Sequence, residues 1–398
     1  MSEVVSIPQL RFPEFRDEWR VDKFVDLCKF QQGVQVDVEL QSTEPKNNFL
    51  RFLRIENYTQ KSNDFRYIPK ELSSNKSITE NEIAIVRYGA TAGYIGRGLK
   101  GILANNLFKL VLNKDTLDTD YLFHLLRSYK TFCFFQSEMS GGAMPALSFG
   151  IVGALKLPYS SISEQQKIAA FLTAVDTKIE QLSKKQELLG EYKKGLMQQI
   201  FSQAIRFRAG DTPGQPLLPN GNSPSGSDFP NWEEKRLGDL CEITTGKLDA
   251  NAMVEGGQYR FYTCAKEYYK IDDYAFDTDA LIVSGNGANV GYIHHYQGKF
   301  NAYQRTYVLD SFTDNIIFVK FVLDEYLHKR IMKEKNEGNT PYIVMGTLTD
   351  MKINLPSFSE QTKIAIFLSS IDSKIEQVGK QLDESKQFKK ALLQQMFV

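Results

Sequence analysis

An excess of charge of either sign is what this sequence lacks most plainly: 48 Lys+Arg against 48 Asp+Glu leave a formal net charge of zero over 398 residues. A simple polycationic nucleic-acid binder is set aside on that ground. Cysteine is scarce as well. The four present, Cys28, Cys133, Cys241 and Cys264, form no C-x-x-C pair and no cluster with His at zinc spacing. A reduced, cytoplasmic protein with buried thiols and no metal is expected. The adjacent His294 and His295 would point to opposite faces of a strand, so they make no chelating pair. Long apolar runs are missing, since Ile316–Leu323 falls far short of the roughly 20 residues of a membrane span. The opening MSEVVSIPQLRFPEF has no basic region followed by an apolar stretch, so no secretory signal is read there. Four histidines in the whole chain leave few general bases. Walker, adenine-methyltransferase, S-adenosylmethionine-loop, nuclease and serine-hydrolase motifs are all absent, so no catalytic residue is assigned.

What is abundant is core material: 42% of residues are hydrophobic, among them 27 Phe and 19 Tyr. A chain of this length and composition is expected to form two or three domains rather than one core.

The main positive signal is an internal repeat. Residues 163–201 and 359–397, offset by 196 positions, share 20 of 39 residues. Upstream the echo is fainter. Trp19, Asp26, Leu27, Cys28 and Gly33 align with Trp232, Asp239, Leu240, Cys241 and Gly246, and Leu10-Arg11-Phe12 echoes Ile205-Arg206-Phe207. In mid-module, Gly89, Ala90, Gly93 and Tyr94 match Gly287, Ala288, Gly291 and Tyr292, and Pro145 matches Pro341. Five domains follow: a first module over 1–162, a helix over 163–208, a Pro/Gly/Ser-rich linker over 209–231, a second module over 232–358 and a second helix over 359–398.

Within the helices, apolar residues recur by threes and fours: Leu172, Val175, Ile179, Leu182, Leu189 and Leu196 in the first, Leu368, Ile371, Ile375, Val378, Leu382 and Leu392 in the second. That is the seam of a coiled coil, interrupted in the first helix by Gln186 and Lys193. Ser163 and Ser359 resemble N-caps, and Pro158 and Pro356 block an earlier start. About 39 helical residues extend roughly 58 Å. Antiparallel pairing would place the two modules at opposite ends of a rod. The expected fold class is mixed α/β: two α/β modules and two long antiparallel helices, with a pseudo-two-fold duplication.

Each module carries strand-like segments (Glu82–Tyr88 and Phe108–Leu112; Ala280–Ser284 and Thr306–Leu309) beside helix-like ones (Tyr121–Ser128; Ile316–Lys329). The paired G-A-x-x-G-Y segments set two glycines three apart, which suits either a tight turn or close backbone approach to a ligand. Side chains able to bond base edges gather near them. These are Arg87, Tyr88, Thr91, Asn105 and Asn106 in the first module, and Ser284, Asn286, Asn289, Tyr303, Gln304 and Arg305 in the second. Recurrence with changed identities suggests one docking mode with two sequence preferences.

The segments F-P-x-W, L-G-D-L-C, Y-G-A-T-x-G, L-P-x-x-S-x-S-E-Q-Q-K-I-A-x-F-L-x-x-x-D-x-K-I-E-Q and K-G-L-M-Q-Q-I-F resemble the specificity subunit of type I restriction–modification enzymes over essentially the whole chain, in two copies. The resemblance implies a non-catalytic DNA-binding subunit. Each module, a target-recognition domain, would read one half of a bipartite site on double-stranded DNA, and the helices would set the spacer. It implies as partners two modification (methyltransferase) subunits and restriction (translocase/endonuclease) subunits. S-adenosylmethionine for N6-adenine methylation would be held by the modification subunits, with no cofactor in this chain. A coiled-coil scaffold with two protein- or sugar-binding modules is the alternative. The zero net charge is also uneven: residues 20–162 carry 18 basic and 14 acidic residues, and residues 232–358 carry 14 and 18. Bulk attraction to phosphate is therefore weak, and tight DNA binding is expected only with partners.

Overall fold

Short runs rich in Val, Ile, Phe and Tyr, broken by Gly, Asn and Asp, favour strands on a half-buried pleat, and both modules are built on them. The computed structural model describes residues 7–73, 76–139, 145–208, 210, 229–334 and 341–397. The linker expected over 209–231 lies almost wholly outside these residues. Two compact units divide the chain, one of Met1–Ser183 with Lys380–Val398 and one of Lys184–Gly379.

In the first unit, β1 (Arg20–Lys23) leads through α1 (Phe24–Leu27) to β2 (Cys28–Gln32), and β3 (Phe49–Leu53) leads through α2 (Ile55–Thr59) to β4 (Arg66–Pro69). β5 (Ser77–Ile78), β6 (Ala84–Val86), β7 (Ile95–Gly96), β8 (Gly101–Leu103) and β9 (Leu107–Leu112) complete two four-stranded sheets, ordered β2-β9-β6-β7 and β4-β3-β8-β5. Helices α3 (Thr119–Leu126), α4 (Tyr129–Glu138) and α5 (Phe149–Ala154) follow, and β10 (Lys156–Tyr159) returns antiparallel to β1 just before α6 (Ile162–Phe201).

The second unit repeats this plan. β11 (Glu233–Arg236) will pair with the last strand, and β12 (Glu242–Thr245), β13 (Tyr259–Tyr262), β14 (Tyr269–Ile271), β15 (Phe276–Ser284), β16 (Ile293–Ala302) and β17 (Thr306–Asp310) form one six-stranded sheet ordered β12-β17-β15-β16-β13-β14. After α7 (Ile316–Glu334) and α8 (Met345–Thr349), β18 (Lys352–Leu355) closes on β11 and enters α9 (Phe358–Gln395). The single sheet here corresponds to two in the first unit. β15 and β16 run unbroken, whereas β5/β6 and β7/β8 are the same two strands interrupted.

The helices pair antiparallel within each unit. In the second, Lys193 on α6 meets Asp372 on α9 at 2.6 Å, and one helical repeat away Gln186 faces Gly379, where an added Cβ would lie 2.7 Å from the amide. The two polar interruptions of the apolar seam are thereby explained: one makes an ion pair, the other fills the space over a glycine. In the first unit, Leu172 of α6 shares a core with Leu392, Met396 and Phe397 at the end of α9, beside Trp19, Phe108 and Tyr121. In the second, Leu196 and Ile200 of α6 share one with Leu368 and Ile371 of α9, beside Phe318 and Phe321. Of the expected seam, Leu172, Leu196, Leu368, Ile371, Val378, Leu382 and Leu392 are buried, and Val175, Ile179, Leu182, Leu189 and Ile375 are half-buried.

Two expectations are corrected. The long helices begin one residue before Ser163 and Ser359, which sit inside the first turn. The capping position falls to Ser161 and Ser357, and the Ser357 hydroxyl accepts the Glu360 N–H at 3.4 Å. The thiols are not uniformly buried. Cys28 and Cys241 are, and burial pushes each up to about 12. Cys133 is exposed on the outer face of α4, and Cys264 is half-exposed beyond β13.

Candidate nucleic-acid interface

The repeated S-E-Q motif at the start of each long helix anchors its module. Glu164, fully buried, takes Arg11 in a two-pronged pair at 2.7 and 2.9 Å and accepts the Trp19 indole N–H at 3.4 Å. Glu360, also fully buried, takes Arg206 at 3.1 and 2.8 Å and Trp232 at 3.2 Å. Next to them, the Gln165 amide oxygen accepts the backbone N–H of Asp118, the N-cap of α3, and Gln361 does the same for Asn315, which caps α7. Each buried carboxylate and amide has its partners, which such burial demands. These residues fix sheet, helix and N-terminal segment together. The clue in the sequence was the pairing of R-F with S-E-Q in both repeats.

On this frame the glycine loops join β6 to β7 and β15 to β16. Gly89, Gly93, Gly287 and Gly291 all adopt φ between +79° and +88°, a region that side chains resist. Hydrogen bonds from Gly93 N–H to Val86 O (2.9 Å) and from Gly291 N–H to Ser284 O (2.8 Å) close the same turn in both. A Cβ on Gly89 or Gly287 would meet nothing within 4 Å, so this part of each loop opens outward.

Three segments converge at each loop. In the first unit Arg87 N–H donates to Asn106 O (2.9 Å) and Leu147 N–H to Arg87 O (2.8 Å). In the second Gly285 N–H donates to Arg305 O (2.9 Å) and Ile343 N–H to Gly285 O (2.8 Å). The predicted clusters are thus brought together at equivalent positions: Tyr88 with Asn286, Thr91 with Asn289, Asn105 with Gln304, and Asn106 with Arg305. Pro145 and Pro341 begin the third segment in each.

The side chains differ in what they offer. Thr91 and Asn106 are exposed in the first unit, as are Gln304 and Arg305 in the second. Asn105, half-buried, donates to Gln35 (3.2 Å), Gln304 to Asp249 (2.9 Å) and Asn289 to the Cys264 carbonyl (3.0 Å). Arg87 is half-buried with its guanidinium 4.9 and 4.8 Å from the Tyr88 and Phe149 rings. Tyr88, Asn286 and Tyr303 are half-buried. Ser284 does not belong to this surface. It is fully buried, because as the end of β15 it is paired with Thr306 of β17, and its hydroxyl faces the interior.

One feature beside the loops was not anticipated. Arg51 on β3 lies 4.3 Å over the Phe65 ring, and Arg260 on β13 lies 4.4 Å over the Tyr268 ring. In the sequence the two arginines share only an R-F dipeptide, Arg51-Phe52 and Arg260-Phe261. Among the described residues no group of three or more His, Cys, Asp or Glu could hold a metal, and no helix is long and apolar enough to cross a membrane.

The family model described as "Type I restriction modification DNA specificity domain" matches residues 16–189 and again 230–385. The chain belongs to this family. Its two copies cover both modules and most of the helices, so the chain is a tandem of one DNA-specificity domain. It is 41% identical over 167 residues to the type I restriction enzyme EcoDI specificity subunit of Escherichia coli, a match covering 41% of this chain and 37% of that protein. With the MjaVIII specificity subunit of Methanocaldococcus jannaschii it shares 26% identity over 420 residues, covering 96% and 92% of the two chains. The crystal structure of a type I restriction-modification S subunit from M. genitalium superposes with a TM-score of 0.67 at 17% identity, covering 99% of both chains, a likeness of fold.

Proposed function

We propose that each unit reads one half of a bipartite double-stranded DNA sequence through its glycine loop and the two segments beside it, and that the paired long helices set the spacer between the halves. The observation that carries this reading is the loop scaffold itself. Its backbone hydrogen bonds are the same in both units while Tyr88/Asn286, Thr91/Asn289, Asn105/Gln304 and Asn106/Arg305 differ, as one docking geometry with two base preferences requires. The near-neutral charge fits a subunit that selects sequence while partners supply grip. Two modification subunits would bring S-adenosylmethionine and methylate adenine N6, restriction subunits would cleave unmodified DNA, and all would act in the cytoplasm.

Methylome sequencing of cells carrying the complete system tests this. A methylated bipartite motif is expected, and exchanging residues 20–158 for those of a relative should change one half of it. Change in both halves, or no sequence-dependent methylation at all, would overturn the reading.

A further inference from the structure

The two units differ at nearly every position proposed to read bases, which makes what they share informative. The Arg51–Phe65 and Arg260–Tyr268 pairs occupy one register. Leu53 O accepts the Ala104 N–H at the entrance to the Asn105-Asn106 turn, and Tyr262 O accepts the Tyr303 N–H at the entrance to the Gln304-Arg305 turn. Leu53 and Tyr262 are therefore equivalent, and the arginines lie two residues before them. On the neighbouring strand Arg51 opposes Tyr67 and Arg260 opposes Lys270, so Phe65 and Tyr268, each two residues earlier, are equivalent too.

We infer that Arg51 and Arg260 are duplicated phosphate clamps, each holding the DNA backbone at one half-site from a guanidinium plane fixed over an aromatic ring. A ring face positions the guanidinium without consuming its N–H donors. Arg51 is exposed and keeps those donors toward solvent. Arg260, half-buried, gives one to the Tyr262 hydroxyl (3.3 Å) and is held on a second side by Tyr296 at 4.2 Å. Each arginine sits about 7 Å along its strand from the residue that bonds the base-reading turn, within reach of the backbone flanking the bases read there.

Phosphate, rather than a base, is the partner the duplication favours. A contact retained in two modules that read different sequences must serve what both half-sites have in common, and that is the sugar–phosphate chain. Charge points the same way. The second module carries four more acidic than basic residues between 232 and 358, so it needs a cation placed where the duplex runs.

The inference rests on the DNA-reading function proposed above, and the test separates the two. The full chain, assembled with its modification subunits, is titrated with its cognate duplex and with an unrelated duplex over a range of salt. Arg51→Ala and Arg260→Ala should each weaken both duplexes by the same factor, about tenfold. Each should also lower the salt slope by about one unit and leave the methylated motif unchanged. Arg51→Lys should retain the slope. A changed base preference in either alanine variant, or wild-type affinity and slope in both, would overturn the clamp. Failure of the unsubstituted complex to prefer its cognate duplex would instead remove the DNA-reading function, and the clamp with it.

Discussion

Lys193 Nζ lies 2.6 Å from Asp372 Oδ1, bridging the two long helices. Shifting each partner by the repeat distance of 196 gives Lys389 and Asp176, and these too form an ion pair, in the other unit. The duplication thus preserves a contact as well as a sequence. With Lys193 18% and Asp372 42% exposed, the pair contributes at most about 1 kcal/mol. Lys193→Glu should destabilise the second unit, and adding Asp372→Lys should recover most of the loss in urea midpoint. A double variant no more stable than Lys193→Glu alone would show that the bridge carries nothing.

The buried Glu164–Arg11 pair predicts a larger effect. Removing the arginine strands the fully buried Glu164 carboxylate, so Arg11→Ala should cost about 3–5 kcal/mol. Replacing both with apolar residues, as in Arg11→Met with Glu164→Leu, should cost less than either single change. Urea unfolding followed by intrinsic fluorescence, with Trp19 in contact with the pair, provides the readout.

His124 sets a pH limit on the first unit. It is fully buried on α3, hydrogen-bonded to Thr173 of α6 at 3.1 Å, and burial pulls its pKa down to about 4. Asp176, on α6, opposes that shift, while Lys389, Arg97 and Arg127 reinforce it. Above the ordinary histidine value of 6.5 both folded and unfolded chains are neutral there. As pH falls from 6.5 toward 4 the unfolded chain takes up a proton that the folded one does not, so about 3 kcal/mol of stability is lost by pH 4. At the equivalent place in the second unit stands Phe321, with Lys193 over its ring. His124→Phe should therefore flatten this part of the stability–pH profile. An unchanged slope would place the titration elsewhere.

The base reading proposed for the two turns can be separated residue by residue. Asn106→Ala should relax one position in one half of the methylated motif, and Arg305→Ala one position in the other half, each by about 1–3 kcal/mol of discrimination. Sequencing the methylome of each variant would show it. If both substitutions altered the same half, the two turns would not belong to separate half-sites.

Much of this was legible in the sequence, for physical reasons that can be named. The long helices declare themselves because apolar residues spaced by threes and fours can bury only along one stripe. The glycine loops do so because positive φ leaves few alternatives to glycine. Ser284 misled because a hydroxyl at a strand end looks like a loop residue until its pairing with Thr306 is known. Arg51 and Arg260 went unnoticed because their significance lies in cross-strand register, which two-residue motifs do not reveal. Glu164 and Gln165 read as ordinary helix-start residues because their partners, Arg11 and Asp118, are far away in sequence.

The first unit draws Leu392, Met396 and Phe397 into the same core as Trp19, Phe108 and Tyr121. During synthesis those three residues leave the ribosome only after every residue of the second unit has been made. The unit whose sequence begins first is therefore the later of the two to acquire all the parts of its core, and until then an apolar wall meant for α9 stays uncovered.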